Sequence, residues 1–468
     1  MPITTPPTGA EPCPGQTTLL RFALAGSVDD GKSTLAGRLL YDSANVLADQ
    51  LTAIGRPAGA TGPDLSLLTD GLRAEREQGI TIDVAHRYFA TPRRRFAMAD
   101  TPGHVQYTRN TVTGASTADL MVILVDVRNG VVEQTRRHAA VAALLRVPHV
   151  VLAVNKMDLV DYGRREFTAV SAEFTGLARG LGIPETTAIP LSALLGDQVV
   201  TPSARLSWYG GPSLLHHLET VPPAGEPAGA GARFPVQYVI RPRTAAHPDY
   251  RGFAGRIAAG TFRVGDRVTV LPSGSATTIS GIDALGLPVD RASAPQSVTL
   301  LLADSVDVAR GDLIVPAGQE PPLTRTVEAT VCHLHERPLR RGDRVLVKHT
   351  TRTVRALVAD IPARLGPSLL GEEPAPDRLG AGGLGRVVLH TAEPLAPDAY
   401  RDSRRTGSLL LIDPDDGSTL AACMAGPGPV YRTGAAGTRT APNDKNNKNN
   451  KNDKNDKNDK NDKDEDSQ

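Results

Sequence analysis

Gly26-Ser27-Val28-Asp29-Asp30-Gly31-Lys32-Ser33, followed by Thr34, fits the pattern G-x-x-x-x-G-K-[ST], a loop whose backbone wraps a phosphate group. The residues before it, Leu19-Leu20-Arg21-Phe22-Ala23-Leu24-Ala25, read as a buried strand. Those after it, Thr34-Leu35-Ala36-Gly37-Arg38-Leu39-Leu40, read as the first turns of a helix. Strand, glycine loop and helix start are the context that the pattern requires. Gly26 and Gly31 let backbone N–H groups curl around an anion, and the helix N-terminus adds its partial positive charge. Lys32 is placed to reach the β- and γ-phosphates, and Ser33 to offer a hydroxyl to Mg²⁺. Alone, the pattern also describes a glycine turn capping a helix, so the rest of the chain decides.

Three further stretches share one feature, a polar group set just past an apolar run. Asp100-Thr101-Pro102-Gly103-His104 follows Phe96-Ala97-Met98-Ala99. A carboxylate there, facing the loop, is expected to hold the Mg²⁺ shell through water, and Gly103 to bring a backbone N–H near the γ-phosphate. Asn155-Lys156-Met157-Asp158 follows Val150-Val151-Leu152-Ala153-Val154. Asp158 can accept from the guanine N1–H and exocyclic amine, a pair that adenine does not offer, while Asn155 and Lys156 hold the base and the loop. Ser192-Ala193-Leu194 follows Ala188-Ile189-Pro190-Leu191 and would complete the base pocket with a backbone N–H to the guanine O6. Each stretch alone is a common turn. The four in this order, each at a strand end, point to a GTP site with Mg²⁺.

Composition narrows the partners. The chain has 468 residues, room for about three domains. Lys and Arg number 52 against 51 Asp and Glu, a net charge of +1, so no basic field argues for nucleic acid. Cys13, Cys332 and Cys423 lie far apart. They have neither metal-ligand spacing nor a disulfide framework, which suits a reducing, cytoplasmic setting. Residues 1–17 are rich in Pro, Thr and Gly without an apolar core and read as a disordered leader, not a signal peptide. No apolar run approaches the ~18 residues of a membrane span.

Residues 18–221 alternate short apolar strands with helical patterns, the signature of an α/β domain with a mainly parallel sheet and helices on both faces. A long polar stretch over residues 41–76 ends in Glu75-Arg76-Glu77-Gln78-Gly79-Ile80-Thr81-Ile82-Asp83. Such an insertion is where a nucleotide-sensing switch would lie. Thr81 is the candidate second protein hydroxyl on Mg²⁺, and residues 103–117 are the other switch. Residues 222–232 read as a linker. Beyond it the helical period gives way to short β-type runs between Gly-Asp turns. These predict two small antiparallel β-barrels, over residues 233–320 and 321–428. His333 and His335 alternate along one of those strands and read as a solvated face, not as a metal pair. Residues 429–468, with their Asn-Asp-Lys repeat, read as a disordered tail.

The nucleotide motifs together with Arg76-Glu77-Gln78-Gly79-Ile80-Thr81-Ile82-Asp83-Val84-Ala85 and Asp100-Thr101-Pro102-Gly103-His104-Val105-Gln106-Tyr107-Thr108-Arg109-Asn110 resemble the translation-factor class of GTPases. More narrowly, they resemble the sulfate adenylyltransferase subunit 1 family, the large GTP-binding subunits of bacterial ATP sulfurylase. True elongation factors usually carry His where this chain has Asp30. Ser207-Trp208-Tyr209-Gly210-Gly211-Pro212-Ser213 and Phe234-Pro235-Val236-Gln237-Tyr238-Val239-Ile240-Arg241-Pro242 continue the match, which spans residues 19–424. The loop Thr244-Ala245-Ala246-His247-Pro248 is longer than the family needs. The resemblance implies a GTPase domain ahead of two barrels. It implies that His104 orients the attacking water, with Val28 and Ile80 as the apolar pair holding His104 out until an activator acts. It also implies a small catalytic partner subunit, in a heterodimer or higher heteromer, that makes adenylylsulfate and diphosphate from ATP and sulfate. No arginine finger in cis is identifiable, so slow intrinsic turnover is expected. No second G-x-x-x-x-G-K-[ST] follows Lys32, which disfavours a fused adenylylsulfate kinase. The rival readings are an elongation-type factor binding aminoacyl-tRNA and a nucleotide-gated scaffold.

Overall fold

The apolar runs of the first half become one sheet. The computed structural model describes residues 18–43, 85–102, 108–222, 231–242, 250–366, 372–374 and 376–426. All lie in one compact unit, Met1–Thr433; the other unit, Gly434–Gln468, lies outside them. Strands β1 (Leu19–Gly26), β2 (Ala85–Ala90), β3 (Arg95–Asp100), β4 (Leu120–Asp126), β5 (His149–Asn155) and β6 (Glu185–Pro190) stand in the order β2-β3-β1-β4-β5-β6. β3, β1, β4, β5 and β6 are parallel, and β2 runs antiparallel at the edge. With the sheet buried on both sides, β4 is apolar without alternation, and all of Leu120–Asp126 is buried.

The helices are α1 (Lys32–Asp42), α2 (Thr108–Ser116), α3 (Glu133–Leu144), α4 (Arg164–Gly180) and α5 (Leu214–Thr220). Alternate residues of β1 divide the core. Leu20, Phe22 and Leu24 pack with Leu35 and Leu39 of α1 and Leu214 and Leu218 of α5. Ala23 and Ala25 face the opposite side, with residues of α2, α3 and α4. Each fully buried Leu or Phe contributes about 1.5–3 kcal/mol. Because the strands are parallel, one edge collects the ends of β1, β3, β4, β5 and β6, which is where α/β sheets bind ligands.

Two closed six-stranded antiparallel barrels follow. In the first, Arg267–Leu271, Leu313–Pro316, Phe234–Ile240, Gly252–Arg256, Ser297–Leu302 and Ser275–Ala284 succeed one another, and the last pairs with the first. In the second the order is Arg344–His349, Ser408–Ile412, Thr419–Ala425, Thr324–His333, Leu384–Leu395 and Arg352–Leu365, again closed on itself. Closure leaves neither barrel ring with an open edge.

The second barrel packs on the α/β domain. Cys332, Leu365, Leu384, Tyr400 and Met424 share one apolar cluster with Val112, Ala115 and Leu145. The Tyr400 hydroxyl donates to the Leu145 carbonyl at 3.0 Å, and Arg404 donates to the carbonyls of Ser116 and Ala118 at 2.9 and 3.1 Å.

The expected solvated face at His333 is overturned. His333 is fully buried, and its Nε2 donates to the Arg337 carbonyl at 2.7 Å. His335 lies past the strand end, and its Nδ1 accepts the Arg337 N–H at 3.0 Å. The two histidines close one turn instead of lining a strand face. Among the described residues no group of His, Cys, Asp or Glu has metal-holding geometry, and no helix is long and apolar enough to cross a membrane. Cys332 and Cys423 are buried free thiols, and burial pushes Cys332 up to about 12. Cys13, the loop at residues 244–248, the leader and the tail lie outside the described residues.

Candidate functional site

β1 delivers the phosphate loop and α1 takes the chain away. The helix begins at Lys32, two residues ahead of the expected first turn, right after Gly31 at φ 93°. That left-handed backbone favours glycine. The space demands it as well, since a Cβ on Gly31 would stand 2.5 Å from Asn155 Nδ2. Lys32 is buried, and its Nζ donates to the carbonyls of Gly26 at 3.0 Å and Ser27 at 2.7 Å. Burial lowers its pKa, opposed by the carboxylates of Asp100, Asp30 and Asp29. Asp30 is buried beneath the loop, where its Oδ2 accepts the Ser27 N–H at 2.6 Å. Ser33 and Thr34 are half-buried, Val28 and Asp29 are exposed, and the buried Ser27 Oγ has no hydrogen-bond partner among the described residues.

Asp100 ends β3 and is buried. Thr101 is committed to the fold: its hydroxyl donates to the Leu24 carbonyl at 2.6 Å and its N–H to the same oxygen at 3.3 Å. Pro102 is buried beside it. Ile80, Thr81, Gly103 and His104 lie outside the described residues.

Asn155 joins the two ends of the site. Its Nδ2 donates to the Asp30 carbonyl at 2.7 Å, and its Oδ1 accepts the Ala193 N–H at 2.9 Å. Ser192 N–H is spent on the Asp197 carbonyl. Of the amides in Ser192-Ala193-Leu194, from which one N–H was expected to meet the guanine O6, that of Leu194 is the one with no acceptor among the described residues. Asp158 is half-buried in the short turn Met157–Val160, above a buried Met157. Lys156 adopts φ 62° and pairs with Asp126 at 3.1 Å.

Sequence reasoning passed over several residues that the site uses. Asp126, at the end of β4, accepts from Arg128 at 3.0 and 2.6 Å. Burial alone would raise its carboxyl, but Arg128 and Lys156 hold it down to about 2. His138 on α3 is buried behind the phosphate loop, hydrogen-bonded to the Gly26 backbone and 3.2 Å from Gln134. Burial and the charge of Lys32 push it down to about 3, so it is neutral at physiological pH. Arg38 of α1 donates to the carbonyls of Ala193 and Leu194. The Tyr162 hydroxyl donates to Asp197 at 2.5 Å and accepts from Arg205 at 2.9 Å, clamping the two base loops together. Asp126 carried a readable signal, a carboxylate after an apolar run, as did Gln134 and His138 at helical i, i+4 spacing.

The chain is similar to known proteins. The elongation factor Tu GTP binding domain family matches residues 17–224, and the GTP-eEF1A C-terminal domain-like family matches residues 326–425. The chain is 47% identical over 414 residues to the sulfate adenylyltransferase subunit 1 of Bacteroides fragilis, covering 87% of this chain and 86% of that one. The chain belongs to the sulfate adenylyltransferase subunit 1 family. Another relative in that family, from Laribacter hongkongensis, is 47% identical over 414 residues, covering 87% of this chain and 85% of that one. A bifunctional enzyme CysN/CysC of Mycobacterium tuberculosis (strain H37Rv) is 53% identical over 412 residues, covering 87% of this chain and 67% of the relative. The expected α/β GTP-binding domain followed by two antiparallel barrels is the fold of this family member. Its phosphate loop carries Ser27 and Asp30, and both take part in the loop's polar contacts.

Proposed function

We propose that this chain is the GTP-hydrolysing subunit of sulfate adenylyltransferase, and that its hydrolysis drives a partner subunit's synthesis of adenylylsulfate and diphosphate from ATP and sulfate. One observation carries the reading of the site: Asn155 ties the phosphate loop to Ala193, so phosphate and base loops form one continuous surface at the strand ends. The family carries the reading of the partner.

The residues present suit GTP and Mg²⁺. Lys32 holds only loop carbonyls that a phosphate can replace, Ser27 Oγ lacks a partner, and Leu194 N–H stands ready for a guanine O6. Asp158 would accept the base N1–H and amine. Within residues 26–34, the amides of Val28, Asp29 and residues 31–34 would cradle the phosphates, joined by that of Gly103, while the Ser27 N–H stays on Asp30. Ser33, Thr81 and, through water, Asp100 would hold Mg²⁺, which supplies positive charge where phosphoryl transfer develops negative charge. His104 would orient the attacking water, with Val28 and Ile80 controlling its approach.

The proposed extents are a leader to residue 17, the nucleotide domain over 18–221, a linker over 222–232, barrels over 233–320 and 321–428, and a tail to 468. The partner is a small catalytic subunit, in a heterodimer or higher heteromer in the cytoplasm, without nucleic acid. The test is adenylylsulfate formation by this chain with its partner, with and without GTP. GTP should raise the yield, and Asp158→Asn should abolish that gain while the partner still binds. Hydrolysis of GTP with synthesis indifferent to it would overturn the assignment.

A further inference from the structure

The phosphate loop contains a group of the wrong sign. Asp30 is 4% exposed, and its carboxylate lies inside a loop whose expected ligand carries several negative charges. Its contacts are those of an acceptor: Oδ2 takes the Ser27 N–H at 2.6 Å and Oδ1 the Asp126 N–H at 3.4 Å. A neutral oxygen could take the Ser27 amide as well, so shape alone does not call for a charge. The charge is also poorly supplied with partners. Asp126 beside it holds Arg128 and Lys156 on its own carboxylate. Among the described residues the cation left for Asp30 is Lys32, which Asp100 and Asp29 also draw on. Lys32 is in turn the side chain that phosphates would claim. A bound nucleotide therefore takes the countercharge of Asp30 and puts further negative charge next to it, in a region where water screens little.

We propose that Asp30 is a brake on nucleotide affinity: its buried charge weakens retention of guanine nucleotides and speeds their release without an exchange partner. The inference rests on the guanine-nucleotide reading of this site and not on the partner's reaction.

Stopped-flow release of fluorescent mant-GDP and mant-GMPPNP from the full chain tests it. Failure of the wild-type chain to bind either nucleotide would sink the reading of the site itself. With binding established, Asp30→Asn keeps the shape and drops the charge. It should slow mant-GDP release by about tenfold, the order expected for removing one close like-charge interaction at a partly screened site. The slowing should be larger for the more highly charged mant-GMPPNP. Asp30→Ser, smaller and neutral, gives the same reading should the amide fail to pack. Unchanged or faster release in the folded neutral variants, or slowing that is equal for the two nucleotides, would assign Asp30 a purely structural role and overturn the proposal.

Discussion

The nucleotide edge and the second barrel both bury polar side chains, but on different terms. In the barrel, His333 donates to one carbonyl, that of Arg337, and His349 to one, that of Thr406, each at 2.7 Å. These are one-to-one bonds that fix turns. At the nucleotide edge partners are shared. Lys32 spans two carbonyls, Asn155 spans two loops, and Asp126 accepts from Arg128 and Lys156. A side chain locked to a single buried carbonyl is costly to pull away. One that bridges replaceable acceptors can be transferred to a ligand. The difference separates polar groups fixed to one carbonyl from polar groups that bridge several partners.

The sharpest attempt to break this contrast is Asp158→Asn. Losing a charged acceptor for two guanine donors should cost about 3–4 kcal/mol, a hundred- to thousandfold in GTP affinity, while xanthine nucleotide gains. Isothermal titration with both nucleotides reads it, and the folding midpoint should hardly move, because among the described residues Asp158 makes no fold contact comparable to that of His349. Gly31→Ala comes next. Strain at φ 93° and the clash with Asn155 Nδ2 should cost about 2–3 kcal/mol, seen as lost nucleotide binding together with a lower melting temperature.

Acid sharpens the contrast from the other side. His138 titrates at about 3 in the folded chain against 6.5 in the reference state. Below pH 6.5 the unfolded chain thus binds a proton that the folded chain refuses, and stability falls as pH falls. At pH 5 the loss attributable to His138 is about 2 kcal/mol, and His138→Gln should remove it from the pH profile of unfolding. The pKa of His349 is also lowered, by burial, so its contribution has the same sign. Smaller still, Tyr400→Phe strands the Leu145 carbonyl and should cost about 1–2 kcal/mol in chemical denaturation. Arg404→Ala, at the rim of the same contact, should cost under about 1 kcal/mol.

Much of this was legible in the chain itself. The strand, glycine turn and helix start around residues 26–33 were legible because glycine freedom and strand–helix periodicity are local properties. The places of Asp100 and Asn155 at strand ends, and of Asp158 in the turn just past one, were legible for the same reason, each following an apolar run. The barrels were legible as runs of β-type residues between Gly-Asp turns, although which strand closes on which was not. His333 was misread because alternation along a strand tells which residues share a face and not whether a neighbouring turn covers that face.

What the sequence determined by itself is the set of parts: a guanine-nucleotide loop system on a parallel sheet, followed by two barrels. What only the tertiary structure decided is how the parts are wired. Asn155 meets Asp30 across 125 positions of chain, Tyr400 meets Leu145 across 255, and Asp30 lies buried between Ser27 and Asp126. Periodicity and motif spacing act over a turn or a strand. These contacts depend on strand order and on the packing of one domain against another, which no local pattern encodes.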